Sequence, residues 1–199
     1  MVSVMLYFGS FNPVHNGHMA IAGHVLLNNI ACELWFVVSP RNPLKPQGIL
    51  IDEHDRLEMV RIAIAGSEFS GRMKACDVEF RMPKPSYTID TLSVLENEYP
   101  ENEFSLLVGS DIMPEFEKWK EWRKLLDNYK IYVYPRRGYS ENDIPVSLKS
   151  RVILLEGAPF YDYSSTEIRN AIVHGTPVES MIPPAVGIYI KTHSLWTMK

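Results

Sequence analysis

The chain has 199 residues, of which 46% are hydrophobic and 22% charged, with a formal net charge of -4. That length holds one α/β domain with its own core, and the apolar share excludes an intrinsically disordered chain. The negative balance, with no basic stripe, argues against general nucleic-acid binding, so a phosphate ligand has to be held by a local site.

The two cysteines, Cys32 and Cys76, have neither the paired spacing of a zinc site nor the density of a disulfide scaffold, which favours a reducing compartment. No apolar run approaches the ~18 residues of a membrane span, and the N-terminus lacks the pattern of a secretory signal. The expectation is a cytoplasmic protein with no membrane partner.

Residues 2–8 are a short, largely apolar run stopped by Gly9, which suits a buried parallel strand. Residues 17–28 carry Met19, Ala22, Val25 and Leu26 at helical spacing, and residues 33–38 are a second apolar run closed by Ser39-Pro40. Asn42-Pro43, Lys45-Pro46 and Gly48 mark a long exposed loop, after which Asp52 can cap a helix bearing Leu57, Val60, Ile62 and Ile64.

Residues 88–99 read as a helix through Ile89, Leu92 and Leu95, and 104–108 as a strand ending in Gly109-Ser110-Asp111. Residues 118–126 fit a helix, and 130–134 and 151–155 fit strands, before a break at Gly157-Ala158-Pro159. The remainder looks partly helical, so the expectation is one domain over 1–199 with a small helical C-terminal part from about 160. This alternation argues for a mostly parallel sheet covered on both faces, with ligands beyond the carboxyl ends of its strands, where Gly9 and Gly109 lie.

Gly9-Ser10-Phe11-Asn12-Pro13-Val14-His15-Asn16-Gly17-His18 joins a buried strand to a helix. Gly9 would let the main chain approach a ligand closely, and the helix start offers unpaired N–H groups and a positive dipole end to an anion. His15 and His18 are three apart, so both rings can donate to one phosphate. A zinc pair or surface histidines remain alternatives, although zinc would need a third ligand and His24 falls on another side of the helix. No G-x-x-x-x-G-K-[ST] or G-x-G-x-x-G pattern is present. Near the other end, Ser164-x-x-Glu167 forms a capping box, while Ser165, Thr166 and Arg169 supply donors suited to terminal phosphates.

The first segment resembles the [ST]-F-D-P-x-H-x-G-H signature of the nucleotidylyltransferase superfamily, with Phe8 and Asn12 departing from it. Tyr163-Ser164-Ser165-Thr166-Glu167-Ile168-Arg169 is similar to the superfamily's I-S-S-T-x-I-R motif, with Tyr163 in place of isoleucine. Ser86-Tyr87-Thr88-Ile89-Asp90-Thr91-Leu92, Gly109-x-Asp111 and Trp119-Lys120 resemble elements of nicotinate mononucleotide adenylyltransferases. Lys45 matches the lysine of a P-H-K element in which Leu44 replaces histidine, and Arg136 and Arg137 resemble an R-x-G region.

The resemblance implies a Rossmann-like, doubly wound fold and adenylyl transfer from ATP to nicotinate mononucleotide in NAD biosynthesis. It implies His15, His18, Lys45 and Arg169 as catalytic. Gly9, Ser10, Phe11, Gly109, Asp111, Ser165 and Thr166 would join His15, His18 and Arg169 around ATP. Ser86, Tyr87, Thr88, Trp119 and Lys120 would bind the acceptor, with the nicotinate ring on Trp119 and its carboxylate at the amides near Thr88 and Lys120. Trp119 packing as a helix stripe with Trp122 and Leu126, and Thr88 acting only as a cap, stay open. Mg²⁺ would bind through ATP phosphates and water, with no protein ligands named. Alternatives are an adenylyltransferase for nicotinamide mononucleotide or phosphopantetheine, or a non-catalytic nucleotide sensor; homo-oligomerisation is left open.

Overall fold

The computed structural model describes residues 1–40 and 50–197. The chain runs β1 (Val2–Gly9), α1 (Asn16–Leu27), β2 (Glu33–Val38), α2 (Glu53–Ala65), β3 (Met73–Cys76), α3 (Thr88–Glu98), β4 (Asn102–Gly109), α4 (Trp122–Asn128), β5 (Lys130–Tyr134), α5 (Val146–Lys149), β6 (Ile153–Leu154), α6 (Ser165–Val173) and α7 (Pro184–Thr192). The sheet has the order β3-β2-β1-β4-β5-β6, with each neighbouring pair parallel. This is the doubly wound arrangement, in which the strand order reverses between β1 and β4.

The centre of β1, Val4 to Tyr7, is buried on both faces, which is why its sequence reads as a largely apolar run. Successive side chains point to opposite faces. Met5 and Tyr7 join the core under α1, α2, α6 and α7, with Ile21, Leu57, Ile168 and Val186. Val4 and Leu6 join the opposite core under α3 and α4, with Leu92, Leu95, Leu125 and Phe116.

β3 was not expected, because its four residues Met73-Lys74-Ala75-Cys76 carry no β-branched side chain and no alternation. It forms by pairing with β2 through Leu34 to Val37, a contact that local sequence does not encode. The helix expected over 118–126 is also corrected. Residues Ser110–Lys118 form a 3-10 helix, and Trp119 leaves it in extended conformation. Glu121 then takes the left-handed φ of 51° before α4 begins. Trp119 packs on Phe116 with ring centroids 5.1 Å apart, so it does not share a helix stripe with Trp122 and Leu126. Trp119, Trp122 and Leu126 stand at helical spacing, so periodicity alone carries the helix across the break at 119–121.

One buried cation holds the upper edge of the sheet in shape. The Arg56 side chain, fully buried, donates to Ser10 O and Ser39 O at 2.7 Å, to Pro40 O at 3.1 Å and to Ile51 O at 3.3 Å. These carbonyls lie just beyond β1 and β2 and just before α2. Removing the guanidinium leaves buried acceptors unsatisfied. Arg56→Met is expected to lower stability by roughly 2–4 kcal/mol, read as a fall of about 5–15 °C in thermal unfolding midpoint by circular dichroism. An unchanged midpoint would show that the carbonyls are satisfied without it.

Candidate active site

A cleft of about 630 Å³ opens beyond the carboxyl ends of β1 and β4. Its walls include His15 and His18 from the first motif, Ser165, Thr166 and Arg169 from the last, and Ser86, Tyr87, Thr88, Trp119 and Lys120 from the middle. Gly9, Ser10, Phe11, Gly109 and Asp111 also line it. Lys45 lies outside the described residues, but Ser39 and Leu50, on either side of its segment, both line the cleft.

The junction after β1 is built from its aromatic packing outward. Phe11, at a left-handed φ of 44°, turns its ring into the core, edge-on to Tyr7 at 5.5 Å and Phe36 at 5.4 Å. A Cβ on Gly9 would stand 2.7 Å from that ring. The Phe11 ring by itself demands glycine at Gly9, which also lines the cleft. Gly109 has a comparable cause: a Cβ there would run into Asp111 Oδ1 and lie 3.0 Å from Arg136 Cγ.

His15 and His18 cap each other. The His18 N–H donates to His15 Nδ1 at 3.4 Å, and the His15 N–H donates to His18 Nδ1 at 3.2 Å. Both Nδ1 atoms are acceptors, so each neutral ring carries its proton on Nε2. The rings stack with centroids 3.6 Å apart. Burial first, and the charge of Arg136 second, push the His15 imidazole down from its ordinary 6.5 to about 3. A neutral His15 offers a hydrogen bond from Nε2 to an anion and carries no positive charge near neutral pH.

The two terminal motifs touch directly. Arg169 Nη1 donates to Asn12 O at 2.8 Å, and Ser165 Oγ donates to Pro13 O at 2.9 Å. The Ser165 hydroxyl proton is thus committed to the motif junction. At the start of α6 the capping box forms, with Ser164 Oγ accepting from the Glu167 N–H at 3.3 Å and Glu167 Oε2 accepting from the Ser164 N–H at 2.7 Å.

Between Arg136 and Arg137 the structure distinguishes plainly. Arg136 lines the cleft and lies 3.7 Å from Asp111, whereas Arg137 pairs outside it with Asp162 at 3.0 Å and Glu167 at 3.8 Å. Two cleft residues that the sequence reading did not single out are Tyr7 and Tyr134, whose hydroxyls meet at 3.0 Å. Burial keeps both phenols protonated. Glu79 was likewise missed; a lone acid between Val78 and Phe80 was the only signal.

At the acceptor end, Tyr87 is the N-cap of α3 and makes no side-chain cap bond, so Thr88 is not the cap. Lys120 Nζ pairs with Asp90 at 2.7 Å, tying the segment after the 3-10 helix to the first turn of α3. The Trp119 Nε1–H is buried with no hydrogen-bond partner. Among the described residues, no group of three or more His, Cys, Asp or Glu side chains is placed to hold a metal, and no helix is long and apolar enough to cross a membrane.

The cytidylyltransferase-like family profile matches residues 6–171. The chain belongs to this family. It is 37% identical over 195 residues to a protein of Flavobacterium johnsoniae named probable nicotinate-nucleotide adenylyltransferase, covering 98% of this chain and 99% of the relative. A Bacteroides fragilis protein of the same name is 39% identical over 183 residues, covering 91% and 87%. The solved Plasmodium falciparum nicotinic acid mononucleotide adenylyltransferase complexed with NaAD superposes with a TM-score of 0.80 at 21% identity, covering 98% of both chains. This likeness extends the fold, with its C-terminal part, across nearly the whole chain.

The depressed His15 pKa sets a sign for acid behaviour. Its contribution to stability is fully present above the free value of 6.5 and is lost as pH falls towards about 3. His15 ring resonances in NMR are expected to stay at their neutral positions down to about pH 4, and His15→Asn to flatten the loss of urea stability between about pH 6.5 and 4. Titration of His15 near 6.5 would overturn this reading of its environment.

Proposed function

We infer that this chain transfers AMP from ATP to nicotinate mononucleotide, releasing pyrophosphate and nicotinate adenine dinucleotide. The observation that carries the reading is the closure of the two terminal motifs into one cleft by Arg169 and Ser165, with the uncapped start of α3 and Trp119 in the same walls. Relatives of nearly the same length bear the name of this activity.

The acceptor's 5′-phosphate oxygen attacks the α-phosphorus of ATP. A P–O bond forms as the α–β bridge breaks, and its electron pair leaves with pyrophosphate. A phosphate monoester has a second pKa of about 6, so the nucleophile is already anionic and needs no side-chain base. Catalysis then rests on alignment and on donors aimed at developing charge.

His15 and His18 donate from Nε2 to the α-phosphate, which is why their mutual capping through Nδ1 matters. Lys45 adds charge there. Arg169 keeps N–H groups beyond those given to Asn12 and Thr166, and with the amides of Ser165 and Thr166 it holds the leaving pyrophosphate. Gly109 and Asp111 border the adenosine ribose, with Arg136 beside them. The nicotinate carboxylate lies at the uncapped amides of α3 near Thr88, and the ring stacks on Trp119. Mg²⁺ would travel on the ATP phosphates, neutralising their charge, since the described side chains form no cage for it.

Purified protein with ATP and Mg²⁺ is expected to release pyrophosphate much faster with nicotinate mononucleotide than with its amide or with phosphopantetheine. Preference for either alternative would replace the acceptor assigned here, and silence with all three would favour a nucleotide sensor. His18→Ala is expected to lower kcat/KM about 10²–10³-fold. Trp119→Ala should raise the KM for nicotinate mononucleotide roughly tenfold while leaving the KM for ATP unchanged.

A further inference from the structure

Glu79 is a buried acid that the reaction above does not use. It sits in the 3-10 turn Val78–Arg81 after β3, only 2% exposed, and lines the cleft beside Ser86, Tyr87 and Thr88. Thr91, fully buried in the first turn of α3, donates from Oγ1 to Glu79 Oε1 at 2.8 Å. The same hydroxyl lies 3.2 Å from Tyr87 O. That carbonyl already accepts from the Asp90 and Thr91 amides at 2.9 and 3.0 Å, and a hydroxyl has one proton, so the charged acceptor takes it.

The opposite oxygen, Glu79 Oε2, and the neighbouring Ser86 Oγ are both buried without a formed hydrogen bond. Burial pushes the Glu79 pKa up, opposed in part by the hydroxyls of Ser86, Thr91 and Ser39, which face the carboxyl group. A carboxyl group in so dry a place is costly unless its oxygens are hydrogen-bonded. Around it converge the end of β2 at Ser39, the strap before α3 at Ser86, and the first turn of α3 at Thr91.

We propose that Glu79 is a positioning residue for the acceptor, holding the first turn of α3 through Thr91 so that the uncapped amides of Tyr87 and Thr88 keep the geometry needed to bind a carboxylate. The proposal rests on the acceptor assignment above. α3 has no side-chain cap to fix its start. The bond from Thr91 to Glu79 supplies from the core what a capping side chain supplies elsewhere, and leaves the amides open to a ligand.

Glu79→Leu and Thr91→Val, made singly and together, test this. Hydrogen–deuterium exchange at the amides of positions 90 and 91 is expected to accelerate about tenfold, with the α1 peptide unchanged. The KM for nicotinate mononucleotide should rise about tenfold while that for ATP stays within about twofold, and the double variant should be no worse than the worse single one. Glu79→Gln, which keeps an acceptor for Thr91 Oγ1, should restore both readouts to within about threefold of the parent.

Should Glu79→Leu fail to fold, Thr91→Val alone carries the same readouts. Unchanged exchange at positions 90 and 91 in a folded variant, or parallel rises in both KM values, overturns the proposal. The exchange measurement needs no turnover. A parent protein inactive with nicotinate mononucleotide would therefore overturn the reaction proposed above, while exchange still decides whether Glu79 holds the first turn of α3.

Discussion

The parallel direction of the sheet is the constraint from which the site follows. Each strand of β1, β2, β4 and β5 ends on the same edge, so the segments leaving them, and the starts of the helices they lead into, collect there. Helix starts carry unpaired N–H groups and partial positive charge, so a parallel sheet gathers its anion-binding capacity at one rim. The reversal of strand order between β1 and β4 leaves a gap between the segments that turn to opposite faces, and the cleft occupies it.

The helix starts at that rim use their N–H groups differently. α1 is capped by a histidine pair that fixes ring orientation and proton position together. α6 closes its own box through Ser164 and Glu167, leaving the amides of Ser165 and Thr166 beyond it. α3 has no side-chain cap. These differences divide the cleft chemically: directed imidazole donors at one place, an arginine with helix amides at another, and bare amides beside an indole at a third.

Stability and site geometry draw on the same polar contacts. Arg56 ties the carbonyl of Ser10, in the first junction, to that of Ser39 beyond β2, and Arg169 donates to Asn12 O in the same junction. The junction between β1 and α1 is therefore held by two arginines, which suits chemistry that depends on alignment more than on a reactive group. The protonated Tyr7 and Tyr134 pair adds a neutral polar patch to the cleft wall.

Much of this was legible in the chain. The order of β and α elements, the glycine-ended strands and the histidine spacing are local properties, because strand periodicity, helix start chemistry and turn residues act within a few positions. They determined the fold class and which motif residues line the cleft at the carboxyl ends of the strands. What only the tertiary structure decided depends on contacts between distant residues: β3 exists because β2 pairs with it, and Trp119 leaves its helix to pack on Phe116. Gly9 answers to the ring of Phe11, and Arg136, unlike Arg137, faces the cleft. Glu79 became visible as part of the site only once burial placed it against Thr91. Burial and long-range pairing are properties of the assembled chain, and these had no local signature to read.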